Sequence, residues 1–453
     1  MGVLSLNYRR PEYIDKQQFR ESSSSINTND EKSDASLKSG RSGALYGIPD
    51  ALTFDKIIDG GTCPPCTIRD FMNYLLYIEH SAENLQFFLW YRDYVRRFNE
   101  ASTSDVLLAQ EWTQAMEDET LAKIQREAAD KLKKDPKAAD IFKGTDFEKN
   151  RGDIMIMESR DPFATPPPTP SDEDTPSIYS QVSSYRSQAQ DAFAAAGVKQ
   201  PFTIQPFRGE INRVIATYIV TGSPRQLNLS AREQKAAVQA LAYTTHPSAL
   251  RAVAAGIENT LRRQAHPNFV RWSICNGNPA RGAFARQLGV SVIALTTLGA
   301  VVLTLSAALR AYRALFAVGW VLGIATLVTA CKGMCVVLHG LHHRQVRPWE
   351  LFLDADAEAD VEAGTDVDSQ DEKGGKDSFD SFGSANSYED QPWVVKYERR
   401  NLVRKVFDRE VWIQEPALRQ IQDTIALQSL LCALLGAAVL TVVFVAVPGG
   451  RFF

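Results

Sequence analysis

The chain has 453 residues, room for roughly two or three ordinary domains. With a net charge of −4 and a pI near 6.0, nothing in the composition points to nucleic acid, and no nucleic-acid partner is expected. Six cysteines (Cys63, Cys66, Cys275, Cys331, Cys335, Cys432) over this length exclude a disulfide scaffold. The mean hydropathy of −0.22 averages opposites: apolar residues are piled into the C-terminal part and polar ones into three tracts.

The opening MGVLSLNYRR has too short an apolar run for a secretory signal, and Leu6 stands where an acylation pattern beginning at Gly2 needs Ser or Thr. Residues 1–47 are expected to be disordered, being Ser-rich and mixed in charge. From Leu52 the character changes. Within 67–98, Phe71, Leu75 and Ile78 mark one helical face, and Leu85, Phe88, Leu89 and Val95 another. Ser81 before Ala82, Glu83 and Asn84 reads as a helix start, which divides the run near His80. A more polar helix is expected over 105–134.

Residues 135–205 read as a disordered insertion, rich in Pro, Ser, Thr and acid between 145 and 200. Thr165, Thr169 and Thr175 each precede a proline, the dipeptide read by proline-directed kinases; the same composition suits a plain flexible spacer. Helical patterning resumes with the stripe Ile211, Val214, Ile215 and Tyr218. It continues through a helix capped by Ser230 with Val238 and Leu241 inward, then Leu250, Val253, Ile257 and Leu261, then a short piece from Pro267 to Trp272. No alternating strand pattern stands out, so the expected fold class is all-α.

Three apolar runs follow, at 288–309, 315–338 and 424–447. The first carries no charge and reaches about 33 Å as a helix, enough to cross a hydrocarbon core. Lys332 lies near the end of the second, where snorkelling to headgroups is the expectation. Gly319 and Gly323, with Ala433 and Ala437, have the spacing of close helix packing or dimerisation. Basic residues flank the runs on one side: Arg281, Arg286, Arg344, Arg347 and a series from Lys396 to Arg419. They predict a cytosolic N-terminal part and a cytosolic 339–423, with 310–314 and the C-terminal tail outside. Arg310 and Arg313 oppose that assignment slightly. The acidic segment 345–391 reads as a solvated linker, and 392–423 as a juxtamembrane helix, lying on an anionic leaflet or packed on the soluble part.

No phosphate-binding glycine loop, HExxH or nucleophile elbow occurs, and Cys63-Pro-Pro-Cys66 has no second pair near it. No cofactor or metal is expected, and a binding protein is favoured over an enzyme. Glu79, Glu83 and Asn84 gather at the corner by Ser81, and Asn228 sits in a loop before a helix. Polar groups at rigid corners suit recognition of a protein surface; they equally suit capping and turn chemistry.

The stretch YIEHSAENLQFFLWYRDY (77–94) resembles the signature of the regulator-of-G-protein-signalling (RGS) domain, an acid, a Ser, Glu-Asn and an aromatic-rich helix. RQLNLSAREQ (225–234) looks like that domain's Leu-Asn-Leu loop, and AVAAGIENTLRRQAHPNFVRWS (252–273) is similar to its last helices. The likeness covers 48–275. With three spans behind it, and the block RKVFDREVWIQEPALRQIQD (404–423), the layout resembles fungal RGS-like membrane proteins of bipolar bud-site selection. The resemblance implies a helical bundle contacting the switch regions of a Gα subunit through Glu79, Glu83 and Asn84. It places Asn228 beside the Gα glutamine that orients the attacking water. Where active members carry an Asp and an Arg before an aromatic, this chain has Gln264, Ala265, His266, Pro267 and Asn268 before Phe269. The resemblance therefore implies a plasma-membrane polarity scaffold ahead of an active GTPase accelerator. Its expected partners are a Gα subunit and a landmark membrane protein or a second copy of the chain.

Overall fold

The computed structural model describes residues 48–101, 107–134, 178–198, 201, 204–351, 386 and 392–450. Its helices are α1 (Phe54–Ile58), α2 (Ile68–Tyr74), α3 (Ala82–Glu100), α4 (Gln114–Lys134), α5 (Ile178–Ala195), α6 (Arg208–Val214), α7 (Ala231–Tyr243), α8 (Arg251–Thr260) and α9 (His266–Ile274). There follow α10 (Pro279–Leu305), α11 (Phe316–Cys331), α12 (Val336–Gly340), strand β1 (His343–Gln345), α13 (Pro392–Glu398), α14 (Leu402–Val406), strand β2 (Glu410–Trp412) and α15 (Pro416–Ala446). The described residues are mostly helical, as expected; the exception is one antiparallel pair that joins His343 to Trp412 and Gln345 to Glu410. The N-terminal tail to residue 47, Thr165, Thr169, Thr175 and most of the acidic linker lie outside the described residues.

The chain divides into two compact units. One gathers the stretches up to His80, from Thr260 to Gly374 and from Ser387 onward; the other gathers Ser81–Asn259 and Gly375–Asn386. In the second unit, α3 buries Phe87, Trp90, Tyr94 and Phe98 along one line. The sequence stripe shares only Leu85 and Phe88 with the buried set; Leu89 and Val95 are half-buried. Trp90 stacks on Tyr94 at 5.1 Å, and Phe87 meets Tyr218 edge-on at 5.6 Å. Glu210 ties this face together, accepting from Trp90 Nε1 at 2.7 Å and from both Arg97 terminal nitrogens. The expected stripe Ile211, Val214, Ile215 and Tyr218 is wholly buried. Helix α5 corrects the reading of 135–205 as disordered throughout: its Ala189 and Phe193 are fully buried in this unit. Alanine-rich DAFAAAG is a helix former with an apolar face, which the surrounding low-complexity composition masks.

In the first unit, α2 loosens into a π-turn over Leu75–Glu79. A wider turn breaks the 3.6-residue period, which is why Ile78 is exposed while Phe71 and Leu75 are buried. Three helices are long and apolar enough to cross a membrane: Pro279–Leu305, Arg310–Cys331 and Pro416–Ala446. The second ends earlier than its hydropathy predicts. Met334 N–H bonds to Thr329 O and Gly333 N–H to Ala330 O around Gly333 at φ 82°, a left-handed cap that stops the helix beside Lys332. The third begins earlier, at Pro416, because Glu415 caps it through Ala417 N–H. Residues 392–423 form no single juxtamembrane helix; they are divided among α13, α14, β2 and the start of α15.

The small residues are used within the chain. A Cβ on Gly289 would come within 2.9 Å of the Leu327 backbone nitrogen, and one on Gly323 within 3.0 Å of the Ile293 backbone nitrogen. Ala433 and Ala437 are buried as well. The spacing read as packing or dimerisation therefore serves packing between helices of one chain. Gly289→Ala is expected to destabilise by about 1–2 kcal/mol, since backbone must move. Gly282→Ala, on the same helix with nothing within 4 Å, is expected to stabilise by up to about 1 kcal/mol. Opposite shifts in detergent melting temperature check the pair; equal shifts would refute the close approach.

Candidate functional site

The corner at 79–84 is built by local chemistry. Thr67 and Asp70 form a reciprocal cap that starts α2, and the π-turn ends at His80 in the left-handed region (φ 53°). His80 Nδ1 lies 3.2 Å from Leu76 O, bonding back to the turn it closes. Helix α3 begins after Ser81, as read from the sequence, yet the Ser81 side chain makes no cap; only its carbonyl accepts, from Asn84 N–H at 3.2 Å. Glu79 belongs to the first unit. Burial raises its carboxyl above the ordinary range, a bond with the Tyr74 side chain opposes that, and Oε2 has no partner. Glu83 and Asn84 belong to the second unit, half-buried on the first turn of α3. Burial also raises Glu83, against bonds from its own N–H and from Asn386. Asn386 further exchanges two 3.1 Å hydrogen bonds with the buried Gln86 amide.

Asn228 is displayed differently. Leu227 is buried and its N–H bonds to Tyr218 O at 2.9 Å, which pins the loop. Leu229 N–H returns to Leu227 O at 2.8 Å, closing a three-residue turn with Asn228 at its tip. Ser230 and Glu233 then form the capping box that starts α7, so the expected cap is present. The Asn228 side chain is exposed on this braced turn, free of the capping role that the same residue type often fills.

A cluster the sequence reading missed lies in the first unit. Trp349 stacks on Tyr77 at 4.9 Å and on Trp272 at 6.0 Å, and the Arg347 guanidinium sits 3.7 Å over the Trp272 ring. Burial pushes Arg347 down to about 10, aided by nearby Arg344. Arg344 pairs bidentately with Glu350 at 2.9 and 3.1 Å. Residues 345–351 are thus structured, not solvated linker; the Arg-Pro-Trp-Glu run at 347–350 was the available signal, hidden by the acidic tract after it. Beneath the stack, Leu52, Val270, Ile274, Met334, Ile413, Leu418 and Ile421 share one core with the base of α15.

The Cys63-Pro-Pro-Cys66 loop docks on the start of α15. Cys63 N–H bonds to Glu415 Oε2 at 2.8 Å, and Pro64 O accepts from Gln414 and Glu415 N–H. Both cysteines are free, and burial drives the Cys66 thiol well above its ordinary value, which favours the protonated thiol. Among the described residues no group of three His, Cys, Asp or Glu is placed to hold a metal ion. No family model, no curated protein and no solved structure matches this chain.

Proposed function

We propose that the chain is an integral membrane scaffold of the plasma membrane at polarised cortical sites, with an RGS-like helical head that docks a signalling partner. The observation that carries this reading is the shared core of the first unit. Helix α9, the segment at Leu52 and the base of α15 bury their apolar faces against one another, so this part of the head is built onto the membrane anchor. Such a core suits a fixed platform more than a detachable regulator. The partner favoured by the resemblance is a Gα subunit, met by Glu79, Glu83, Asn84 and Asn228. The Glu83 carboxylate already accepts from Asn386, so a partner meets it partly engaged. The basic residues flanking the apolar helices support a cytosolic head and a cytosolic 339–423.

The second reading is an active GTPase accelerator, favoured by the exposed, braced Asn228. Single-turnover GTP hydrolysis by Gα, with the full chain in nanodiscs, separates the two. The full chain is needed, because a piece ending before α10 would strip Met334, Ile413 and Leu418 from the core that covers Val270 and Ile274. Stable Gα capture with an unchanged rate is the scaffold's expected result. A tenfold acceleration, worth about 1.4 kcal/mol of transition-state stabilisation, would overturn it in favour of the accelerator. Asn228→Ala should then remove most of the gain without lowering the melting temperature. Absence of any capture would remove Gα as the partner.

A further inference from the structure

The short helix α14 and the residue that follows it present an apolar face with no cover in the chain. Leu402 is 68% exposed, Val403 64% and Phe407 65%, against Val406 at 6% on the inner side. This segment is firmly held. Gln345 Nε2 donates to Val406 O at 2.8 Å, and Val346 N–H donates to Arg409 O at 2.9 Å. The Phe407 ring meets Phe284 of α10 edge-on at 5.8 Å. Exposed Phe284 and Leu288 continue along α10 into its outward apolar surface, so the α14 face is continuous with the side of a spanning helix.

The charges around this face are one-sided. Both carboxylates of 402–410 are tied to internal arginines, Asp408 to Arg400 and Glu410 to Arg281, each at 2.6 Å. Arg286 and Arg404 are exposed. An ordered apolar face edged by cations and continuous with a spanning helix matches the boundary of a leaflet carrying anionic headgroups. A soluble protein partner would have no need of that continuity.

We propose that α14 is an interfacial anchor for anionic phospholipid: Leu402, Val403 and Phe407 enter the acyl boundary where α10 emerges, and Arg286 and Arg404 hold headgroup phosphates. This rests on the membrane reading above. A sub-membrane clamp of this kind fixes the height of the first unit at the surface and gives it a preference for membranes rich in acidic lipid.

The test uses the full chain in vesicles, with Cys63, Cys331 and Cys432 changed to serine and a fluorophore on Val403→Cys. Quenching by brominated phosphatidylserine is compared with quenching by brominated phosphatidylcholine. The expected result is strong quenching with at least about a fivefold preference for the serine lipid, the contribution of one basic residue at an anionic surface. Arg286→Glu with Arg404→Glu, both on the surface, should abolish that preference while the protein still resists carbonate extraction. No quenching by either lipid in a carbonate-resistant protein overturns the anchor and leaves the membrane reading standing. Equal quenching by both lipids, or self-quenching that grows with protein density as for a second copy, also overturns it. Release by carbonate would instead refute the membrane reading itself.

Discussion

Replacing Arg313 with alanine is expected to lower the melting temperature of the full chain in detergent by roughly 6–12 °C, from a loss of about 3 kcal/mol. Arg313 is fully buried. Its Nη1 donates to Phe444 O at 2.9 Å and Val447 O at 2.7 Å, and its Nη2 donates to Thr304 O at 3.4 Å. Those carbonyls stand at the C-terminal ends of α15 and α10, where backbone acceptors lack partners within the helix and the helix dipole is negative. One guanidinium therefore caps two spanning helices at once. In alanine's place, Phe444 O and Val447 O lose a charged donor, while Thr304 O keeps the Gly450 N–H at 2.9 Å. Arg313→Lys should recover only part of the loss, because a single ammonium cannot hold acceptors on two helices with the fixed fork of an arginine. Intrinsic fluorescence during heating, with Trp320 buried among the same helices, provides the measurement. A shift within about 2 °C would mean that the arginine is not a cap.

Acid should destabilise the first unit through His266. The ring is fully buried, its Nε2 lies 2.8 Å from Leu52 O, and it packs edge-on against Phe54 at 5.9 Å. A carbonyl can only accept, so Nε2 carries the proton and Nδ1 is bare; Nδ1 has no partner. Protonation would add both a buried charge and a buried N–H with no acceptor. Burial accordingly lowers the group from its ordinary value of 6.5 to about 4, with Arg262 adding to the shift and the Leu52 bond opposing it. A depressed histidine contributes stability that is whole above pH 6.5 and is lost as pH falls through the window to about 4. The loss amounts to about 3 kcal/mol. His266→Gln keeps an N–H in reach of Leu52 O and cannot titrate. Carboxylates titrate in both proteins, so the difference between their melting curves isolates the ring. That difference should narrow steadily from pH 6.5 to 4, and a difference constant with pH would refute the assignment. The position before Pro267 is occupied by a residue that ties the N-terminal segment to α9.

Much of the candidate site was legible because its chemistry is local. The helix start after Ser81 and the cap at Ser230 follow from residue type and short-range spacing, and both are present. The exposure of Asn228 is a step harder, since it depends on Leu227 being pinned by Tyr218. The contact of Glu83 with Asn386 was not legible at all, because the two residues are far apart in sequence. The Trp272, Trp349 and Arg347 stack was missed for the same reason. Each member looks ordinary within its own segment, and only contact across more than seventy residues gives it meaning.

By itself the sequence determined the helical class and the presence of three helices able to cross a membrane. It determined the helix starts after Ser81 and Ser230 too. These depend on apolar periodicity, hydropathy and capping, which act over a few residues and so are written in neighbouring positions. Tertiary structure alone decided which glycine faces which backbone and that Arg313 serves two helix ends. It also decided that α9 and the segment at Leu52 share a core with α15 and that 342–346 pairs with 409–413. Those outcomes come from non-local contacts, whose free energy appears only when distant segments exclude water together.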